Sequence, residues 1–379
     1  MNRRIDALDV LRGVAILGTL GTNIWIFTDP GGPAGFMATW GASGAVETFL
    51  RFLTNGKFLG LLTLLFGIGL ELQYRSAVRK GLAWPGRYLW RAALLFAEGV
   101  LHFVLIFEFD VLMGYALTSV IVAYLIGRSE RAVTAWMVAA GALHVALVSL
   151  LTLALLAAGG GTSGGAAGGL FAEGSWPEQV AARLQNLAVY RAELIFIIPM
   201  GIVLFLLGAR LLRAGVFEPG EGGARLRRRL AVLGLGVAAP LNLATAYAGP
   251  AWFAVDRYLL PPLVALGLLG LITSIVLGLR GAPGRLRTAL SDVGRAALSC
   301  YVLQNLVASA LCYGWGLGLA TRLDPARPWW VPVAWAGICL LFMTLATLWL
   351  RRFRRGPLEL AWQWAYQAPW SRRAADATT

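Results

Sequence analysis

Residues 128–158 read RSERAVTAWMVAAGALHVALVSLLTLALLAA, and no Asp, Glu, Lys or Arg follows Arg131 within them. The hydrocarbon core of a bilayer is about 30 Å thick and is crossed by about 20 apolar residues in a helix. The run from 132 to 158 is long enough to cross and too apolar for the surface of a soluble domain. Working outward from it, comparable runs recur near 10–28, 56–74, 88–107, 111–127, 191–212, 229–249, 258–279, 296–319 and 329–350. The whole chain agrees, being 58% hydrophobic and 14% charged, against about 45–50% and about 25% in soluble domains. The expected fold is all-α: a polytopic membrane helix bundle of about ten transmembrane helices, forming a single integral membrane domain over residues 1–379.

Lys and Arg retained on the cytoplasmic side during insertion set the orientation. Of the 33 basic residues, 25 fall before the first run, after the last, or in every second gap, and 7 fall in the alternate gaps. This places the N-terminus and the C-terminus in the cytoplasm. The net charge of +14 is spread over short loops on one side, which is the membrane pattern and not a nucleic-acid footprint; no nucleic-acid partner is expected. The first run is read as a retained span, since no small-residue cleavage site follows it. Cys300, Cys312 and Cys339 all lie in apolar runs, so neither a disulfide framework nor a metal site is expected.

Between the spans, residues 159–190 form an outer Gly-rich loop whose AAGGGTSGGAAGGLF portion reads as a linker. Its WPEQVAARLQNLAVY portion has helical spacing and is expected to lie along the outer surface. The basic segment 220–229 reads as an inner loop anchored to anionic head groups, with a grip on a phosphorylated cytosolic donor as the alternative. Residues 351–379 read as a cytoplasmic tail, its 354–370 portion amphipathic and resting in the inner interface. Trp329, Trp330, Trp362 and Trp364 are assigned to the interfacial belt.

Function must be read from polar groups inside the spans, where ionisable side chains are costly and mark sites by default. Arg12, Ile16, Thr19 and Asn23 recur at i, i+4, i+7 and i+11, an inward-facing stripe roughly 16 Å long at 1.5 Å per residue. Asp9, three residues before Arg12, is placed to pair with it. Glu98 and His102 are four residues apart on one helix face, and Glu108-Phe109-Asp110 follows in a very short outer turn. An imidazole beside a carboxylate is the usual apparatus for taking a proton from a hydroxyl or amine. His144, alone among Ala, Leu and Val, reads as a packing residue.

Four separated stretches carry a family likeness: LDVLRGVAILGTLGTNI (8–24), KFLGLLTLLFGIGL (57–70), GVLHFVLIFEFDVLMGYAL (99–117), and the late pair GRAALSCYVLQN (294–305) and GPLELAW (356–362). Together they resemble the YeiB-like bacterial membrane proteins, a family carrying domain of unknown function 418. That family looks related to the transmembrane acyltransferase superfamily, whose members pass an acyl group from a cytosolic coenzyme A thioester to an acceptor across the bilayer.

The resemblance implies a bacterial plasma-membrane enzyme. Its donor would be acetyl-CoA or another acyl-CoA, its acceptor a small molecule, sugar or lipid with a hydroxyl or amine, and its surroundings membrane lipid. In the superfamily the first span carries an arginine and, after ten intervening residues, a histidine acting as base. Here those positions are Arg12 and Asn23, and an amide takes no proton at neutral pH. The resemblance therefore moves the base to His102, oriented by Asp110 or Glu98, with Arg12, Asn23 or Lys57 polarising the acyl carbonyl. His102 and Asp110 match the family's own histidine and aspartate, whereas Cys300 stands where asparagine is common and Gln363 where arginine is common. Two other classes of function fit the same buried groups: a small-solute transporter, and a catalytically silent scaffold or sensor.

Overall fold

The computed structural model describes residues 3–40, 43–159, 169–279 and 281–376, with side chains over 6–40, 43–159, 169–279 and 281–368. Among these residues every regular element is helical. In chain order they are α1 (Arg3–Phe27), α2 (Gly32–Ala38), α3 (Ala45–Thr54), α4 (Lys57–Arg79), α5 (Arg87–Leu105), α6 (Leu112–Leu125), α7 (Glu130–Ala157), α8 (Trp176–Gln185) and α9 (Leu187–Arg191). There follow α10 (Leu194–Arg213), α11 (Glu221–Ala231), α12 (Ala239–Tyr247), α13 (Leu260–Gly278), α14 (Arg285–Arg295), α15 (Ala297–Cys312), α16 (Leu319–Arg322), α17 (Trp330–Arg352) and α18 (Pro357–Asp376). Eight helical segments are long and apolar enough to cross a membrane, and two shorter apolar helices, α6 and α15, match the remaining expected runs.

The bundle is inverted relative to a soluble protein. Its outward faces are apolar: Val138, Leu150 and Leu153 of α7 and Val333 and Leu340 of α17 are each more than 60% exposed. Its interior holds carboxylates, guanidinium groups and amides, among them Glu71, Glu108, Asp110, Arg183, Asp256 and Asn305, all under 3% exposed. Lipid supplies the solvent for such outward faces, and polar groups are satisfied inside. The chain is a multi-pass membrane protein.

Ion pairs, most of them with a buried carboxylate, pin the helix ends in two tiers. At the Arg-rich end, Glu71 of α4 takes Arg75 at 2.7 Å and Arg213 of α10 at 2.8 Å, and Arg213 and Arg210 both reach Glu130 at the start of α7 at 3.0 Å. There Arg287 of α14 also bonds Asp6 of α1. At the other end, Arg183 of α8 meets Glu108 at 2.8 Å and Arg327 meets Asp29 at 3.3 Å. Asp29 lies beyond the spans, and burial pushes its carboxyl up from the ordinary range while Arg327 pulls it down.

Two expectations are corrected. The segment 220–229 is the helix α11 and not a loop, since glycines at 220, 222 and 223 are followed by a Leu and Arg run with helical spacing that continues into α12. The run 296–319 ends as a helix at Cys312, where Tyr313 turns extended and Gly314, Gly316 and Gly318 break the pattern. The Gly-rich linker lies, over 160–168, outside the described residues, while WPEQVAARLQ forms α8 under a Ser175–Glu178 capping box. That box holds the fully exposed Glu178 carboxyl below its usual range, through the Ser175 N–H and hydroxyl.

α1 is the central helix, in contact with α4, α13, α14, α15 and α17. Its closest partner is α14, and the approach is set by two glycines. A Cβ on Gly13 would lie 2.0 Å from the Leu290 carbonyl oxygen, and one on Gly294 would lie 1.8 Å from that of Asp9. Small residues let membrane helices approach backbone to backbone, where packing replaces the hydrophobic drive. We expect Gly294→Leu to destabilise the protein by at least about 1–3 kcal/mol, the usual cost of overpacking. Thermal unfolding in detergent, compared with a Gly284→Leu control whose Cβ meets open space, checks this.

Candidate functional site

The site lies between the first half of α1, the α5–α6 hairpin and the start of α15. The α5–α6 turn is tight, and the reason is Gly99: a Cβ there would sit 2.6 Å from the Met113 nitrogen and 2.9 Å from Asp110 Oδ1. With α6 pressed against α5, Asp110 drops back onto the helix it has just left. Its Oδ2 stands 2.8 Å from His102 Nδ1, and its Oδ1 accepts the Met113 N–H at 3.2 Å. Arg191, whose guanidinium lies 4.2 Å from the Phe103 ring, donates to the Asp110 carbonyl at 3.0 Å and to the Glu108 carbonyl. His102 and Asp110 side chains are 1% and 0% exposed. Such a dyad fixes the tautomer: a carboxylate only accepts, so Nδ1 carries the proton and Nε2 keeps its lone pair.

That lone pair faces Asn305 of α15, whose Nδ2 is 3.3 Å from Nε2, and whose Oδ1 accepts from Asn23 Nδ2 at 3.2 Å. The Asn23 amide is thus joined to the imidazole through one intermediary. The neighbouring Gln304 donates to the Ile16 carbonyl at 3.0 Å and locks α15 to α1. Tyr301, one turn earlier on α15, lays its ring 5.0 Å from the imidazole.

One helical turn toward the Arg-rich end, a cavity of about 510 Å³ opens. Its lining includes Arg12, Arg91, Arg295 and Arg355, with Gln73, Tyr88, Glu98, Ser119, Tyr301 and Trp362. Glu98 Oε2 is buried with no hydrogen-bond partner among the described residues. Arg12 bonds Asp9 at 3.3 Å, and its side chain is 35% exposed. The Arg91 guanidinium lies 4.9 Å from the Trp362 ring. The α18 wall of this cavity is held by Glu359, which accepts from the Leu298 and Ser299 N–H groups at 2.8 and 3.3 Å and from the Ser299 hydroxyl. A carboxylate at the first N–H groups of α15 both caps the helix and meets its positive end.

The expected site residues therefore divide. His102 and Asp110 form the dyad, and Glu98 does not orient the imidazole: it faces the cavity. Arg12 lines the cavity, with Asp9 as its partner. Thr19 points to neither, since its hydroxyl returns to the Ile16 carbonyl at 2.7 Å. The stripe from Arg12 to Asn23 is consequently not one continuous path but two polar regions at different depths. Lys57 lies elsewhere, at the start of α4, donating to the Phe52 carbonyl and 3.9 Å from the Phe52 ring. It belongs to an outer polar cluster in which Asp256 accepts from Asn55 at 2.8 Å and Asn242 at 2.7 Å. Trp362, read as an interfacial residue, lines the cavity instead, while Trp364 is 75% exposed. His144 Nε2 donates to the Tyr258 carbonyl at 3.0 Å, as a packing residue does.

Sequence reading missed Asn305, Arg91, Arg295, Arg355, Tyr301 and Trp362. Asn305 carried a usable signal, an amide within an apolar run beside a second amide, Gln304; the arginines were read for topology alone. No group of three His, Cys, Asp or Glu able to hold a metal occurs among the described residues. We expect Gly99→Ala to push Met113 and Asp110 away from α5, costing about 1–3 kcal/mol. Thermal unfolding should show the loss, and Gly236→Ala, whose Cβ meets nothing, should not.

Comparison with known proteins places this geometry in a lineage. Residues 211–368 match the family model described as protein of unknown function DUF418. The uncharacterized protein YxaH of Bacillus subtilis (strain 168) is 27% identical over 408 residues, covering 97% of this chain and 96% of the relative. The uncharacterized protein YeiB of Escherichia coli (strain K12) is 29% identical over 395 residues, covering 96% of each. An uncharacterized 39.9 kDa protein in the amylase 3′ region of Bacillus acidopullulyticus is 31% identical over 104 residues, 27% of this chain and 29% of the relative. No solved structure matches. With two relatives aligned from end to end and the family model matching 211–368, this chain is similar to the YeiB-like DUF418 proteins.

Proposed function

We propose that the protein is a transmembrane acyltransferase. It moves an acyl group, acetyl in the simplest case, from a coenzyme A thioester on the Arg-rich side to a hydroxyl or amine at the other side of a bacterial plasma membrane. The observation that carries the reading is the four-arginine cavity whose lining includes Glu98, one helical turn from His102 of the dyad.

The chemistry follows from the parts. Coenzyme A presents a pyrophosphate and a further phosphate on one end and a thioester on the other. Arginine binds phosphoryl oxygens in paired, planar contacts, which suits Arg12, Arg91, Arg295 and Arg355, and the Trp362 ring offers a face for a base. The thioester arm then reaches past Glu98 toward Tyr301. At His102, Nε2 takes the proton of the acceptor hydroxyl as its oxygen bonds to the acyl carbonyl carbon. The carbon–sulfur bond breaks, and the thiolate leaves with that proton returned by the imidazolium, while Asp110 holds the ring in place and offsets its transient charge.

Titration of purified protein in detergent with acetyl-CoA tests the reading. Binding is expected to weaken at least about tenfold in Arg91→Glu, equivalent to about 1.4 kcal/mol. His102→Ala should bind acetyl-CoA as the wild type does while losing about 10²–10⁴-fold in acetyl transfer. Absence of acetyl-CoA binding, or undiminished transfer by His102→Ala, sinks the proposal.

A further inference from the structure

Most buried amides in this bundle answer a backbone carbonyl; Asn305 does so too, but it also stands on the one nitrogen that the dyad leaves free. Its orientation is settled by three neighbours on different elements. Nδ2 donates to the Tyr301 carbonyl at 3.1 Å and lies 3.3 Å from His102 Nε2, while Oδ1 accepts from Asn23 at 3.2 Å. Turning the amide over would set Oδ1 against both a carbonyl oxygen and a lone pair, and would leave Asn23 facing an NH₂. All donors along Asn23, Asn305, His102 and Asp110 therefore point the same way, and aligned hydrogen bonds of this kind polarise one another in a low-dielectric interior.

We propose that Asn305 is the positioning residue of His102: its amide, aimed by Asn23, occupies Nε2 in the resting protein and marks the place where the acceptor's hydroxyl or amine binds. The consequence for turnover rests on the acyl-transfer reading; the hydrogen-bond order does not. The contact to Nε2 is longer than the usual 2.9–3.0 Å of an N–H donor, so it is the weakest link of the chain and the one that an incoming hydroxyl replaces most cheaply. Asn305 keeps its bond to the Tyr301 carbonyl when it yields, so no buried donor is left bare. In this arrangement the amide at Asn23 acts as an aiming group for a base on another helix and needs no proton chemistry of its own.

The chain has 2 histidines, so nitrogen NMR of full-length protein labelled at histidine resolves both rings, and His144→Gln assigns them. For the wild type we expect His102 protonated at Nδ1 and unprotonated but hydrogen-bonded at Nε2. In Asn305→Leu the Nε2 resonance should move to the position of an unbonded nitrogen with Nδ1 still protonated. Asn23→Ala, which leaves Asn305 in place, should give a smaller shift in the same direction. With acetyl-CoA, Asn305→Leu should lower kcat by up to about 10²-fold, the effect of a misplaced reacting pair, with KM for acetyl-CoA unchanged. A protonated Nε2 in the wild type, an unmoved Nε2 in Asn305→Leu, or a shifted Nε2 with full kcat each overturn the proposal. The NMR shift in a protein that transfers no acetyl supports the hydrogen-bond order and removes the acyl-transfer reading.

Discussion

Inside a bilayer no water completes a hydrogen bond, so a buried polar group finds a partner within the protein or carries a cost of several kcal/mol. The placement of nearly every helix end here answers that constraint. Glu71 ties α4 to α10 because its carboxylate has room for Arg75 of its own helix and Arg213 of α10 at once. Glu108 holds the outer segment down through Arg183, and Glu359 fastens α18 by satisfying the first N–H groups of α15. Between these fixed ends the spans are apolar and have little to specify how they rotate. The tiers of ion pairs and the glycine contact of α1 with α14 supply that specification, and the site inherits its geometry from them.

The same constraint separates what the sequence reveals from what it hides. The apolar helices were legible because hydropathy is a local property. His102 and Asp110 were legible as a pair because a short turn joins their helices. The partition of Arg12, Thr19 and Asn23 was not. Helical spacing places them on one stripe, but whether neighbours on that stripe share a cavity depends on α15 and α4, whose approach is set by contacts nearly three hundred residues apart, such as Asn23 with Asn305. Glu98 illustrates the same limit: four residues from His102 it was a natural orienting group, yet the i+4 neighbour points down the helix axis to the cavity while Asp110 arrives from the turn. Trp362 and Arg91 read as membrane-surface residues because only the folding of α18 across α5 brings them to the cavity wall.

Gly99 shows how a small feature of sequence decides chemistry. It stands between a carboxylate that faces the cavity and an imidazole that does not, and its missing side chain is the space into which the Asp110 turn settles. Were α6 held further out, Asp110 would lie out of reach of Nδ1 and the ring could choose either tautomer. The packing of two backbones thus fixes a proton on one atom and a lone pair on another, with no contact to any ligand.

Depth supplies the last step. On the acyl-transfer reading, the cavity with its four guanidinium groups would receive the donor, while the imidazole sits apart from its lining, buried and capped by an amide. On that reading the base is kept out of the charged chamber, with the rings of Tyr301 and Phe107 at its sides. Charge recognition and proton abstraction make opposite demands on their surroundings, one wet and cationic, the other dry and nearly neutral. Stacking them along one helix, with Glu98 and Gly99 as the boundary, lets a single bundle meet both.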